Sequence, residues 1–238
     1  MNINISILMP IYNGIEYIDE SVSSILKQTY TNWELLIGIN GHPANSEVYQ
    51  IAKKYESQSN KIRVFDLYNI KGKSNALNEM VNYCSYDHVA LLDVDDLWHE
   101  KKLSYQVPHL EKTENEDYDV VGTRCIYIGD LNGVVPKIPT GDLSSCDFLK
   151  SNPIINSSVI IKKEYCYWYE NGIEDYDMWL RLRRENRRFY NCNEILVKHR
   201  IHQQSAFNAN GKNQKLVKNL LETHKPTKTN TTTTNTQT

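Results

Sequence analysis

Two groups of carboxylates are the residues of this 238-residue chain best placed to do chemistry. The first is Asp93-Val94-Asp95-Asp96, directly after the apolar run Val89-Ala90-Leu91-Leu92. Carboxylates at the mouth of a sheet can hold a hard divalent cation. Mg²⁺ or Mn²⁺ takes few protein carboxylates and leaves positions for phosphate oxygens. The i, i+2 spacing puts Asp93 and Asp95 on one side of an extended segment, with Asp96 pointing elsewhere unless the chain turns. The plainer reading is a cap, because an Asp after a strand often opens a helix, here one starting near Trp98. The second group is Glu174-Asp175-Tyr176-Asp177, at the start of a helix predicted to run to Arg184. Acids there suit capping and the helix dipole. Their functional reading is a general base, taking a proton from a hydroxyl as its oxygen attacks an electrophilic carbon.

The elements that must position these groups alternate. Strand patterns at 3–9, 33–39, 62–65 and 88–92 are separated by helical patterns at 17–26, 48–55 and 75–83. That alternation predicts βαβ units in an α/β fold with a mostly parallel central sheet flanked by helices. The early strands are apolar on both faces, as a sheet covered on both sides requires. Ligands of such sheets sit beyond the carboxyl ends of the strands, which places chemistry near 10–13, Asn40, 69–73 and 93–96. The second half adds strand patterns at 120–128 and 158–161 around a loop-rich section. Residues 212–221 read as a short basic amphipathic helix, docked on the domain or touching a membrane surface. Residues 227–238 carry no apolar group to bury and are expected to be disordered.

Composition narrows the classes. Hydrophobic residues make up 40% and charged residues 24%, with a net charge of −2. These are globular values that exclude a rod, a collagen-like chain or wholesale disorder, and they leave no basic field for nucleic acid. Cys84, Cys125, Cys146, Cys166 and Cys192 form no CxxC pair and read as thiols in a reducing compartment. No apolar stretch approaches the roughly 20 residues of a membrane span, and the first residues lack the pattern of a signal peptide. A cytoplasmic protein without a transmembrane segment is expected, with peripheral membrane contact left open.

Taken in order, several pieces resemble the family 2 glycosyltransferases of the GT-A fold. They are Pro10-Ile11-Tyr12-Asn13, Gln28-Thr29-Tyr30-Thr31-Asn32-Trp33-Glu34-Leu35, Gly72-Lys73-Ser74-Asn75-Ala76-Leu77-Asn78, Leu92-Asp93-Val94-Asp95-Asp96, Asn156-Ser157-Ser158-Val159, Glu174 through Leu182, and Arg200-Ile201-His202. The resemblance spans roughly residues 4–205. It implies a single Rossmann-like GT-A domain over 1–224, with a nucleotide-sugar half to about 98, an acceptor half from about 99, and a tail from 225. It implies a metal-dependent inverting transfer of one hexosyl or N-acetylhexosaminyl unit to a glycan, lipid-linked or protein acceptor. Asp93 and Asp95 match the DxD motif. Asp95, with His202, would hold Mn²⁺ or Mg²⁺ against the donor diphosphate, and Asp93 and Val94 would contact the ribose or the metal shell. Asp175 matches the catalytic base, with Glu174 beside it. Pro10, Tyr12, Asn13, Asn40, Lys73 and Asn75 would line the donor pocket. Trp168 and Asp177 fall where an acceptor would lie, among the aromatics Tyr165, Tyr167 and Tyr169.

One segment departs from the family. Where Val-Asp-Asp-Gly-Ser is usual, the chain has Gly38-Ile39-Asn40-Gly41-His42. An amide donates and accepts whereas a carboxylate only accepts, so UDP, GDP and dTDP all stay open as the donor nucleotide, with UDP first. Two rival readings are an inactive binding module of the same fold and a sugar nucleotidyltransferase. The second lacks its phosphate loop, since residues 10–16 offer Gly14 alone and no lysine.

Overall fold

Strand β1 (Ile5–Ile11) is buried along nearly its whole length because strands flank it and helices cover both its faces. The computed structural model describes residues 3–111, 118–202 and 212–225. After β1 come α1 (Ile18–Leu26), β2 (Trp33–Asn40), α2 (Glu47–Lys53), β3 (Ile62–Leu67), α3 (Lys73–Val81) and β4 (His88–Leu91). Then follow β5 (Leu97–Trp98), α4 (Lys102–Leu110), β6 (Val120–Gly129), β7 (Gly141–Asp142), β8 (Ile160–Lys162), α5 (Glu174–Arg184), β9 (Phe189–Ile201) and α6 (Lys212–His224). The expected disordered tail lies outside the described residues. Among the described residues no helix is long and apolar enough to cross a membrane.

One sheet runs in the order β3-β2-β1-β4-β8-β6-β9-β5, with β7 on β9. The parallel ladders β2–β3, β1–β2, β1–β4 and β6–β9 are the long ones. The antiparallel pairings of β8, β5 and β7 involve two or three residues each. Successive side chains of a strand point to opposite faces, so β1 and β2 feed two cores. Ile5, Ile7, Ile37 and Ile39 pack with Val22, Ile25 and Leu103 on one face. Leu8 and Leu36 pack with Leu77, Met80, Trp179 and Leu220 on the other. Each such side chain contributes about 1.5–3 kcal/mol on burial.

Three details differ from the sequence reading. The first strand does not stop at Pro10. The β4 register ends at Leu8, so Pro10 is paired only to Gly38 of β2, and its missing N–H interrupts no second ladder. Trp98 starts no helix; it lies in β5, paired to Val197. A strand of 13 residues, β9, closes the second half where no strand is evident from pattern.

Candidate functional site

The turn after β4 sorts its three carboxylates. The Asp96 N–H donates to the Asp93 carbonyl at 3.0 Å, and this tight turn sends the Asp96 side chain inward. Fully buried, it accepts from His199 Nδ1 at 2.8 Å and from the Arg200 N–H at 2.8 Å. Asp96 therefore fastens the end of β9 under the site and is no ligand itself. Burial works against a charged His199, but the Asp96 carboxylate overrides it and raises its pKa. Arg200 completes the brace, with Nε on the Asp95 carbonyl at 2.9 Å and an Nη on Glu20 at 2.9 Å.

That brace aims His202 at Asp95, with Nε2 3.0 Å from Oδ2. Burial, Asp96 and Asp93 together push the Asp95 carboxyl above its ordinary range, the signature of a site short of positive charge. Among the described residues, no three His, Cys, Asp or Glu side chains converge as a ready-made metal cage. Asp95 and His202 offer one hard oxygen and one imidazole nitrogen. That pair fits Mn²⁺ or Mg²⁺ when diphosphate oxygens fill the other positions.

Asp93 turns the other way. Its N–H donates to Ser157 Oγ at 3.1 Å, and its carboxylate accepts from Asn156 at 3.3 Å. Lys73 Nζ, on the first residue of α3, lies 2.5 Å from Asp93 Oδ1. Burial would raise the Asp93 pKa, but Lys73 and Asn156 hold it below the usual carboxylate value. Burial likewise opposes the Lys73 charge, and Asp93, Glu174 and Asp175 outweigh it. One cation thus lies within the field of both acidic groups, which are far apart in sequence. Burial and the Glu174 carboxylate push Asp175 up to about 6, with Lys73 pulling the other way. A carboxylate at that value is a usable base at neutral pH.

The residues predicted to line a donor pocket lie at the ends of β1 and β2 and at the start of α3. Tyr12 is 57% exposed, and its ring lies 5.4 Å from that of His42. The ring rests over Gly41, where a Cβ would come within 2.9 Å of it. Asn13 is exposed beside it, and Pro10 is partly buried at the strand end. Asn40 is nearly buried and donates to the Gly72 carbonyl at 3.5 Å. Asn75 is exposed and donates to the Lys71 carbonyl and to Glu170, at 3.0 and 2.9 Å. Val94 is a correction: its side chain is buried, and Gly14 leaves just enough room for its Cγ1. Only its backbone can face a ligand.

Both acceptor-side residues are also corrected. Trp168 is 1% exposed, and its backbone exchanges two hydrogen bonds with Asn78, at 2.9 and 2.8 Å. It packs in the core, while its neighbours Tyr167 and Tyr169 are the exposed pair, edge to face at 5.1 Å. Asp177 is buried, accepting from Arg181 Nε at 3.0 Å while His224 Nε2 of α6 lies 3.2 Å from its other oxygen. It ties α6 to α5 and cannot meet an acceptor. Asp177→Ala should cost about 2–4 kcal/mol, because buried His224 loses the carboxylate beside it and Arg181 Nε loses its acceptor, keeping only its contacts to Tyr167 and Tyr169. In a chain of this size that is a fall of roughly 5–15 °C in Tm, readable by calorimetry, with nucleotide affinity unchanged.

A glycosyl transferase family 2 model matches residues 6–184. The O-antigen biosynthesis glycosyltransferase WbnJ of Escherichia coli is 30% identical over 85% of this chain and 81% of its own length. The UDP-Glc:alpha-D-GlcNAc-diphosphoundecaprenol beta-1,3-glucosyltransferase WfgD of Escherichia coli is 29% identical over 84% of this chain and 78% of its own length. Among solved structures, S. aureus TarS with UDP-GlcNAc superposes with a TM-score of 0.73 at 16% identity, over 93% of this chain and 66% of that one. A mannosyltransferase of Pyrobaculum calidifontis, held with GDP-Man and Mn²⁺, gives 0.65 at 15% identity, over 85% and 58%. With its carboxylates set at the strand ends of a GT-A sheet and its sequence matched over most of its length, the chain belongs to glycosyl transferase family 2.

Proposed function

We propose that the chain transfers a single hexosyl or N-acetylhexosaminyl unit, with inversion, from a UDP-sugar to a hydroxyl of a lipid-linked glycan at the cytoplasmic side of a membrane. The observation that carries this is the Lys73–Asp93 pair at 2.5 Å, with Lys73 also in the electrostatic field of Glu174 and Asp175 at the start of α5. The donor and acceptor classes are supported by the names of the matching relatives.

Asp95 and His202 would hold Mn²⁺ or Mg²⁺, with Asp93 beside them. When bound, the cation offsets the charge that collects on the departing diphosphate. Tyr12 offers an exposed ring face to the nucleobase. Asp175 receives the proton of the acceptor hydroxyl as that oxygen forms its bond to the anomeric carbon. The bond from that carbon to the diphosphate oxygen breaks on the opposite face, and its electron pair leaves with the nucleoside diphosphate. No covalent enzyme intermediate is needed for one inverting transfer. Fixing both partners across one turn and one helix start supplies an orientation advantage.

The test is a panel of UDP-, GDP- and dTDP-sugars with Mn²⁺, following nucleoside diphosphate release with and without a diphosphoundecaprenol-linked glycan. Acceptor-dependent release from a UDP-sugar is expected. Donor binding without release across the panel would instead establish an inactive binding module.

A further inference from the structure

Asp93 is held on three sides, and two of its holders come from one short turn. Lys73 meets Oδ1, while Asn156 donates to Oδ2 and Ser157 Oγ accepts the Asp93 N–H. Both belong to the turn Asn156–Ser158, so whatever fixes its backbone fixes this side of Asp93. Two of its carbonyls are clamped by side chains that follow the acidic turn in sequence. Trp98 Nε1 donates to the Ser157 carbonyl at 2.7 Å, and Gln106 Nε2 donates to the Ser158 carbonyl at 2.8 Å. Gln106 Nε2 also donates to the Val121 carbonyl of β6 at 2.6 Å.

Lys102 touches both clamps. Carbonyls only accept, so the Gln106 amide NH₂ must face Val121 and Ser158, and its Oε1 needs a donor from elsewhere. Lys102 Nζ supplies it at 2.8 Å, from one turn earlier on α4. The same Nζ lies 3.8 Å from the centre of the Trp98 ring. Lys102 and Gln106 are fully buried, and Trp98 nearly so. Burial pushes the Lys102 pKa well below the usual lysine value, against a smaller opposing pull from Cys192. A neutral amine still donates to Gln106 and brings no charge into the core. An apolar side chain would fill this position without desolvating an amine, so packing alone does not account for a lysine here.

We propose that Lys102 and Gln106 are positioning residues for sugar transfer, locking the Asn156–Ser158 turn and through it the Asp93 carboxylate. This rests on the nucleotide-sugar reading of the site. Being fully buried, neither residue can touch the donor. Gln106 sets the turn against β6, and Lys102 sets the Gln106 amide and backs the Trp98 indole. Release of the clamp lets Asp93 shift relative to Lys73 and Asp95. A misplacement of about 1 Å in such a group is enough to cost a large factor in binding or rate.

The test is a double-mutant cycle on the natural chain, Lys102→Met, Asp93→Ala and the two combined, read by calorimetry of UDP with Mn²⁺ beside thermal melting. Lys102→Met keeps the apolar length of the side chain and removes the donor. It should weaken UDP by about tenfold, within the coupling range of residues in one network, with Tm within a few degrees of the natural chain. In the Asp93→Ala background it should weaken UDP no further, because the carboxylate it positions is gone. Trp98→Phe keeps a ring and loses the Nε1 donor. It should behave in the same way, and it carries the test if Lys102→Met does not fold. An equal loss with and without Asp93, no loss in a folded variant, or failure of both variants to fold overturns the assignment, marks the network as structural and leaves the donor reading intact. A natural chain that binds no UDP overturns the donor reading, and this assignment with it.

Discussion

Asp175→Asn is expected to lose transfer to the acceptor by roughly 10²–10⁴-fold, the contribution of a positioned general base. Nucleotide affinity should hold, because Asp175 touches the donor side only through the field it shares with Lys73 and Asp93. The intact enzyme should show its own pH signature. Asp175 is raised from 3.8 to about 6, so transfer should rise tenfold per pH unit below about 6 and level off above it. The sign for stability is opposite. The folded state holds this proton more tightly than the unfolded chain, so the cost of ionising Asp175 is absent below about pH 4, grows through the window up to 6, and is complete above it. Removing the charge should therefore stabilise the fold at pH 7 by roughly 1–2 kcal/mol after discounting for partial exposure, raising Tm by a few degrees. An inactive variant that melts higher would mark a residue kept strained for chemistry. Equal losses of activity and stability would mark a merely structural acid.

The parts of this fold legible in the sequence are those where local pattern and tertiary demand agree. β1 and β2 are apolar on both faces because both are covered, and α1 places Ile18, Val22 and Ile25 on one face. The parts that were not legible break their own pattern for a physical reason. In β9, Asn193 and Glu194 bulge out between Cys192 and Ile195, which inverts the alternation that would announce a strand. In α4 the buried face includes Lys102 and Gln106, which satisfy each other at 2.8 Å, and Pro108 lies inside the helix. The candidate site divides the same way. Asp93, Asp95, Asp175 and His202 are proposed from the family resemblance, and the structure pairs Asp95 with His202 and sets Lys73 against Asp93. Burial is what sequence hides: Trp168 and Asp177 carry the chemistry of an acceptor wall, yet one fills the core and the other ties two helices.

Asp95→Ala and Asp96→Ala, adjacent in the chain, should fail in different ways. Asp95 is partly exposed and its carboxylate faces His202 at 3.0 Å, so Asp95→Ala should fold and melt close to the natural chain. It should lose about 10³-fold in metal-dependent turnover, because Lewis-acid neutralisation of a leaving diphosphate is worth several kcal/mol at about 1.4 kcal/mol per decade. Added Mn²⁺ should not restore it, and the Mn²⁺ dependence of UDP binding should flatten. Asp96 has no exposure and two partners, so Asp96→Ala strips the acceptor from His199 and from the Arg200 N–H. A cost of about 3–5 kcal/mol follows, because the buried carboxylate that holds both His199 and the Arg200 N–H is lost. The end of β9 would then release Arg200 from the Asp95 carbonyl and His202 from its carboxylate, so turnover falls as a consequence of lost order. The separating measurement is calorimetry beside kinetics. Turnover lost at an unchanged Tm in Asp95→Ala identifies the metal-holding carboxylate. Retained Mn²⁺-stimulated turnover in that variant would remove Asp95 from the role and leave the pairing with His202 as a structural contact.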